Sequence, residues 1–460
     1  MSILKGIGVP LIFIISVFLL HFGHPLNSDE GALLGGSWKI YNGQVPYKDF
    51  FSYIPPGSYY FIKYSFDLFG PSYYSAKIFS VALLLLSTFA TYKIALSLTR
   101  IKLFSKIIAW VWLVFASFSY PIVNYNSLST FLAILSIYFF IRAIKSRLFI
   151  DYLLTGMSLG AVTIFLQHKG LALTFLFILL ATAYTWVFRK VRLVNFTILL
   201  LGSALLPILV ISYWNPMTIY QYLIVWPIIH AVPFNPVSYQ FLTILVIYFC
   251  IISFWIYRKH KGIDRQILVI LFISQLALLI SMFPRRTHLY LMINSFGFLM
   301  INGYLVYYFL TKIDLKNSIG KTLVIFNTTI SIGAILIYLF SSNLESLTNY
   351  EYFKTKIRNH HIEKLYAYPF IPGIYFELGL HDPYPYGVLV TTQHPTSAFQ
   401  ENLSVLLKER PNHVLVNYEI AKKYQYNQDN PLDTYIHQNY KEVDRFGSLL
   451  IMEKLNLEKN

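Results

Sequence analysis

A single cysteine, Cys250, occurs in 460 residues, and it lies inside an apolar run. One thiol excludes an intrachain disulfide and a cysteine-based metal cluster, and it carries no information on redox compartment. Charge is also scarce: Asp, Glu, Lys and Arg make 13% of the chain, against 56% hydrophobic residues and 18% aromatics. That composition excludes a water-soluble globular protein and points to a polytopic α-helical membrane protein. Acid is scarcest of all in the first three quarters of the chain. Residues 1–340 hold 25 Lys and Arg against 7 Asp and Glu, whereas residues 341–460 hold 12 against 14. The formal charge of +16 therefore belongs to the membrane part, which sets nucleic acid aside as a partner and leaves the lipid bilayer. Solenoid-type repeats and low-complexity tracts are missing too.

What is present is a series of eleven apolar runs, at 7–20, 75–98, 103–120, 127–141, 152–166, 171–187, 193–213, 241–257, 267–283, 289–310 and 323–340. Some fall short of the roughly 20 residues an upright span needs. The first lacks a small-residue cleavage site and is read as a retained span, not a secretory signal. Ionisable side chains within the runs are few, with Lys93 the evident exception.

Basic residues set the expected orientation, because Lys and Arg accumulate in loops that stay cytoplasmic. With the N-terminus cytoplasmic, the connections carrying Arg100, Lys102 and Lys106, then Arg142, Lys145 and Arg147, then Arg189, Lys190 and Arg192 share one side. So do Arg258, Lys259, Lys261 and Arg265, and Lys312, Lys316 and Lys321. The outer side then receives a first loop over 23–74, four shorter connections and the C-terminal region. Lys39, Lys48, Lys63, Lys169, Arg285 and Arg286 are the outer-side cations. Singly, each is accounted for by lipid headgroups; as a set they suit an anion site. The expected organisation is a membrane module over 1–340 and a small extracytoplasmic α/β soluble domain over 341–460. In that domain 386–390 and 413–416 read as strands, and 398–408 and 433–439 as helices.

The first outer loop concentrates acid where acid is otherwise rare: Asp29, Glu30 and Asp49 fall within 21 residues. Ser28 is a good helix N-cap, which puts Asp29 and Glu30 in the first turn of a helix ending near Gly43. Carboxylates there stay ionised against the positive end of the helix dipole. The Pro55-Pro56-Gly57 turn starts a second helix over 58–69 that Gly70 closes. Together the two segments form an amphipathic shelf with its acids at the water boundary. Helix capping is the structural alternative for Asp29 and Glu30, and holding the loop together is the alternative for Asp49.

The order of these residues resembles a known pattern. Asp29-Glu30, then G-x-x-P-Y-x-D-F over Gly43–Phe50, then P-P-G-x-Y-Y over Pro55–Tyr60, is similar to the first outer loop of the glycosyltransferase C (GT-C) superfamily, on its protein mannosyltransferase and aminoarabinose transferase branch. The plan of spans, long first outer loop and C-terminal domain is similar as well, and PFIPGIYFELGLHDP over 369–383 looks like the start of such a tail domain. Members of that branch move a sugar from a polyprenyl-phosphate carrier to an acceptor hydroxyl with inversion. The resemblance makes Asp29 the general base, with Glu30 beside it as the second residue of the pair. The chemistry needs such a group: a hydroxyl is a poor nucleophile, and a placed carboxylate contributes roughly 10²- to 10⁴-fold by taking its proton. The acceptor is a lipid-linked glycan, a cell-surface polymer or a protein; Asp49, Tyr53, Tyr59 and Tyr60 are the residues expected to bind substrate, and Tyr290 is a further ring suited to a sugar.

A departing polyprenyl phosphate requires cations. Aminoarabinose transferases place a Lys just before the proline of the last loop motif, where this chain has Ile54. The cation must come from elsewhere, and Arg285, Arg286 and His288 in P-R-R-T-H lead, followed by Lys169 in Q-H-K-G and then Lys48. The second outer loop, 121–126, offers Asn124 and Asn126 where related transferases often carry an acid. His168, His230 and His288 do not fall at metal-ligand spacing, so no metal or cofactor is assigned, with a divalent ion left open. Two other classes stay in view: a transporter or flippase of lipid-linked sugars, which would place ionisable groups inside its spans, and a non-catalytic glycan-binding scaffold.

Overall fold

The computed structural model describes residues 28–119, 122–187, 191–230, 262–282, 293–312, 362–422 and 424–455, with isolated positions between 247 and 258. The apolar runs at 7–20 and 323–340, most of 241–257 and the segment carrying Arg285, Arg286, His288 and Tyr290 lie outside the described residues.

The membrane part is helical. Two 14-residue helices come first, α1 (Ser28–Tyr41) and α2 (Pro56–Phe69), the second started by Pro56 in its first turn and stopped by Gly70 at φ 80°. Then come α3 (Tyr73–Thr99), α4 (Lys102–Ser119), α5 (Tyr125–Ser146) and α6 (Phe149–Phe165). They are followed by α7 (Gln167–Thr182), which runs on through a π-turn, and α8 (Leu193–Tyr213). A short apolar helix, α9 (Pro216–Ile229), precedes α10 (Gly262–Ile280) and α11 (Phe296–Lys312). Polar caps fix several starts: Ser72 accepts the Ser75 N–H at 3.1 Å before α3, and Asn124 accepts the Asn126 N–H at 2.6 Å before α5. Among the described residues four helices are long and apolar enough to cross a membrane: α3, α5, α7 with its π-turn, and α8.

At 1.5 Å per residue α3 separates its ends by about 40 Å. Its first residues touch α1, whereas Arg100, just past its end, pairs with Asp264 of α10 at 3.2 Å. Arg142 of α5 pairs with Asp151 of α6 at 2.9 Å. Lys145 lies close enough to feel both Arg100 and Asp264. Among the described residues, the connections carrying Arg100 and Lys145 thus meet at one end of the bundle, and the first loop packs at the other.

The C-terminal region forms a four-stranded sheet in the order β1-β2-β4-β3, from β1 (Leu365–Pro369), β2 (His413–Asn417), β3 (Tyr440–Phe446) and β4 (Leu449–Lys454). β1 and β2 run parallel and the other pairs antiparallel. Four helices accompany it, α12 (Ile374–Leu378), α13 (Thr396–Glu409), α14 (Tyr418–Lys422) and α15 (Pro431–Asn439). Its core of Leu365, Tyr366, Val414, Leu415, Val416 and Ile451 is separate from that of the helical bundle. The fully buried Asp433 is satisfied by Tyr368 Oη at 2.8 Å, Tyr426 Oη at 2.6 Å and Asn430 Nδ2 at 2.5 Å, the condition on which a buried carboxylate is tolerated. The expected strand over 386–390 does not form. Pro383 and Pro385 precede it and Gly387 falls within it, and a lone bridge between Phe370 and Val388 is what persists.

Candidate active site

Helix α1 carries the site and is held on two faces by different bodies. Successive residues on a helix point about 100° apart. Glu30 accordingly turns into the bundle while Asp29 turns to an open cavity. The Glu30 carboxylate is fully buried, pairs with Lys77 of α3 at 3.0 Å, accepts the Val123 N–H at 2.6 Å and accepts from Tyr73 Oη at 3.1 Å. Burial pushes its pKa up, and the Lys77 ammonium opposes that push. This corrects two expectations. Glu30 does not stand at the water boundary beside Asp29, and Lys77, like Lys169, is an ionisable group buried within an apolar helix, so Lys93 is not the exception it seemed from sequence.

The opposite face of α1 is built from glycine and meets the C-terminal region at backbone distance. A Cβ on Gly31 would stand 2.3 Å from the Pro372 carbonyl oxygen, and one on Gly373, whose φ is +85°, 2.6 Å from Gly31 Cα. Neither contact survives a side chain. Further along, Lys39 Nζ pairs with Asp382 at 3.0 Å and donates to the Tyr384 carbonyl at 2.5 Å. Trp38 Nε1 donates to the Leu380 carbonyl at 2.8 Å, and the Phe51 N–H to the Pro385 carbonyl at 2.9 Å. Burial pulls the Lys39 pKa down while Asp382 raises it.

Between these contacts lies a cavity of about 150 Å³. Its walls are Asp29 and Lys39 from α1, Tyr53 and Tyr59 from the rest of the loop, Trp226 from α9, and Gln393 and His394 from the C-terminal region. Tyr53 stacks on Trp226 at 4.9 Å and 16°. The Tyr59 hydroxyl is held by Ser52 Oγ at 3.0 Å, with its pKa raised by burial. His394 is buried among Phe51, Trp226 and Tyr386, and burial lowers its pKa to about 4, so it is neutral at pH 7. Among the described residues no three His, Cys, Asp or Glu side chains converge as a metal site would require.

Of the residues singled out from sequence, the cavity brings together Asp29, Tyr53 and Tyr59. Asp49 accepts the Val45 N–H at 2.7 Å and closes an exposed turn that also carries Lys48; neither lines the cavity. Tyr60 is exposed and leans on Trp214. Lys169 is fully buried in the bundle and donates to the Asn126 carbonyl at 2.9 Å and Thr130 Oγ1 at 2.7 Å, with no carboxylate beside it among the described residues. Arg285, Arg286 and His288 fall outside the described residues. Missed from sequence were Asp382, Gln393, His394 and the use of Lys39. The spacing Gly31, Gly35, Gly36 was the available signal that something packs closely on α1.

The helical bundle and the C-terminal region thus meet around a cavity whose wall includes a carboxylate of α1. Residues 54–214 match the model of the dolichyl-phosphate-mannose-protein mannosyltransferase family. The fold matches that of ArnT from Cupriavidus metallidurans bound to undecaprenyl phosphate, with a TM-score of 0.61, 12% identity and 99% of each chain covered. The apo state of that protein gives a TM-score of 0.58 at 11% identity over 98% of each chain. No curated protein sequence matches significantly. The likeness to the GT-C superfamily on its protein mannosyltransferase and aminoarabinose transferase branch therefore holds, in family profile over residues 54–214 and in fold over nearly the whole chain.

Proposed function

We propose that the protein is an integral-membrane glycosyltransferase that takes a sugar from a polyprenyl-phosphate carrier and joins it, with inversion, to an acceptor hydroxyl. The observation that carries this reading is the place of Asp29, on the wall of a ring-sized cavity closed by the C-terminal region, in a chain with the fold of a protein crystallised with undecaprenyl phosphate. Asp29 takes the acceptor proton as the acceptor oxygen forms its bond to the sugar C1. The C1–O bond to phosphate breaks from the opposite face, and the carrier leaves as polyprenyl phosphate.

Cations are then needed at the departing phosphate, and Lys39 is committed to Asp382. Arg285, Arg286 and His288 are the proposed clamp. Lys169 supports them as a buried amine held by two neutral oxygens, which a nearby anion would favour in its charged form. Asn at 124 and 126 leaves it without an acidic neighbour in the second outer loop. The C-terminal region is assigned to the outer face, opposite the gathered basic connections, and a reporter fused to the C-terminus that is active only in the cytoplasm would reverse that assignment.

The test is transfer of labelled sugar from polyprenyl-phosphate-sugar by purified protein. Asp29→Asn should lower the rate by about 10²- to 10⁴-fold, and an unchanged rate removes Asp29 as the base. Arg285→Ala, Arg286→Ala and Lys169→Met should each weaken donor binding, and unaltered affinity in all three relocates the phosphate site.

A further inference from the structure

Gln393 is 9% exposed and lines the Asp29 cavity, yet its side-chain amide makes no hydrogen bond among the described residues. Its backbone N–H is already spent on the Val390 carbonyl at 2.9 Å. With no protein partner, the amide is available to a ligand or water in the cavity. Its neighbour His394, in the same cavity wall, uses Nδ1 within its own turn, 3.2 Å from the Val390 N and 3.3 Å from the Val390 carbonyl. The stacked Tyr53–Trp226 pair, with Trp226 against the His394 ring, adds an apolar surface to the same cavity. The cavity of about 150 Å³ equals in size the engineered cavity of roughly 150 Å³ that accepts benzene, so one six-membered ring fits.

A sugar ring has the two surfaces such a chamber would recognise. Its C–H face suits an aromatic wall, and its hydroxyl edge suits an amide, which both donates and accepts. The second carboxylate lining the cavity, Asp382, is neutralised by Lys39, so the wall holds no excess acid for a cationic substituent beyond Asp29 itself. We propose that Gln393 of the C-terminal region hydrogen-bonds the hydroxyl edge of a neutral donor sugar, so that this region supplies sugar specificity to a site whose base stands on α1. The inference rests on the donor reading given above.

The experiment measures affinity of the purified full-length protein in nanodiscs for bare undecaprenyl phosphate and for a panel of undecaprenyl-phosphate monosaccharides, neutral and amino-substituted. Wild type should prefer a neutral sugar-bearing carrier to the bare one. Gln393→Ala should lose roughly 3- to 10-fold of that preference, as for one neutral hydrogen bond, with bare-carrier affinity and unfolding temperature unchanged. An unchanged preference in the variant, an equal loss for bare and sugar-bearing carriers, or a wild type that favours only amino-sugars overturns the sugar contact. A wild type that binds no carrier at all overturns the donor reading itself.

Discussion

Lys39 and Asp382 form an ion pair at 3.0 Å, each about 5% exposed, between helix α1 and a turn more than three hundred residues later in the chain. The pair closes one edge of the Asp29 cavity, and Lys39 adds a hydrogen bond to the Tyr384 carbonyl. Removing one member strands a buried charge, at a cost of about 3–5 kcal/mol, whereas replacing both with apolar groups is far milder. Lys39→Met and Asp382→Leu should therefore each lower the unfolding temperature strongly, and the double variant should recover most of the loss. Additive losses in the double variant would show that the two charges act independently.

Glu30 and Asp29 should separate cleanly by the same logic. Glu30→Ala leaves Lys77 buried without its carboxylate and frees the Val123 N–H and the Tyr73 hydroxyl, so the expected cost is again about 3–5 kcal/mol of stability. Glu30→Leu combined with Lys77→Met should restore much of it. Asp29→Asn should leave the unfolding temperature in place and remove transfer. A Glu30 variant with native stability and no activity would return Glu30 to the chemistry.

That Asp29 lines the cavity while Glu30 is buried in the bundle comes down to direction. The ordered motif from Asp29 to Tyr60 marks the loop, but adjacent helix positions face different ways, and linear order does not tell which carboxylate enters the bundle. The helices over 73–213 were legible because long apolar stretches broken by basic turns leave few alternatives. In the C-terminal region the strand over 413–417 and the helices over 396–409 and 431–439 follow from periodicity, whereas the strand expected at 386–390 loses to prolines and a glycine. Lys39 looked like a headgroup contact since Asp382, Gln393 and His394 are distant in the chain, and local pattern carries no information on such partners.

The Gly31–Gly373 contact predicts a narrow tolerance. A Cβ at Gly31 meets backbone, not a flexible side chain, so Gly31→Ala forces α1 and the 372–373 turn apart at a cost of about 1–3 kcal/mol or more. Gly387→Ala, whose added methyl meets nothing within 4 Å, is the matched control from the same cavity wall. Limited proteolysis should release the C-terminal region faster in the Gly31 variant than in wild type or the control. Equal cleavage rates would mean that the glycine contact does not hold the two parts together.

His394 makes the C-terminal side of the site sensitive to acid. Burial lowers its pKa to about 4, with the nearby His230 acting in the same direction; Phe51, Trp226 and Tyr386 supply no acid to stabilise an imidazolium. In the unfolded chain the same imidazole takes its proton near pH 6.5. Between those values the unfolded state binds a proton that the folded state refuses. Stability therefore falls as pH drops from about 6.5 toward 4, by up to about 3 kcal/mol from this residue, and the contribution is constant below that window. Replacing the ring by His394→Phe keeps an aromatic group among its neighbours and removes the titration. Unfolding temperatures measured between pH 7.5 and 4.5 should fall less steeply for the variant than for wild type, and parallel curves would show that His394 takes its proton as readily in the folded protein as in the unfolded chain.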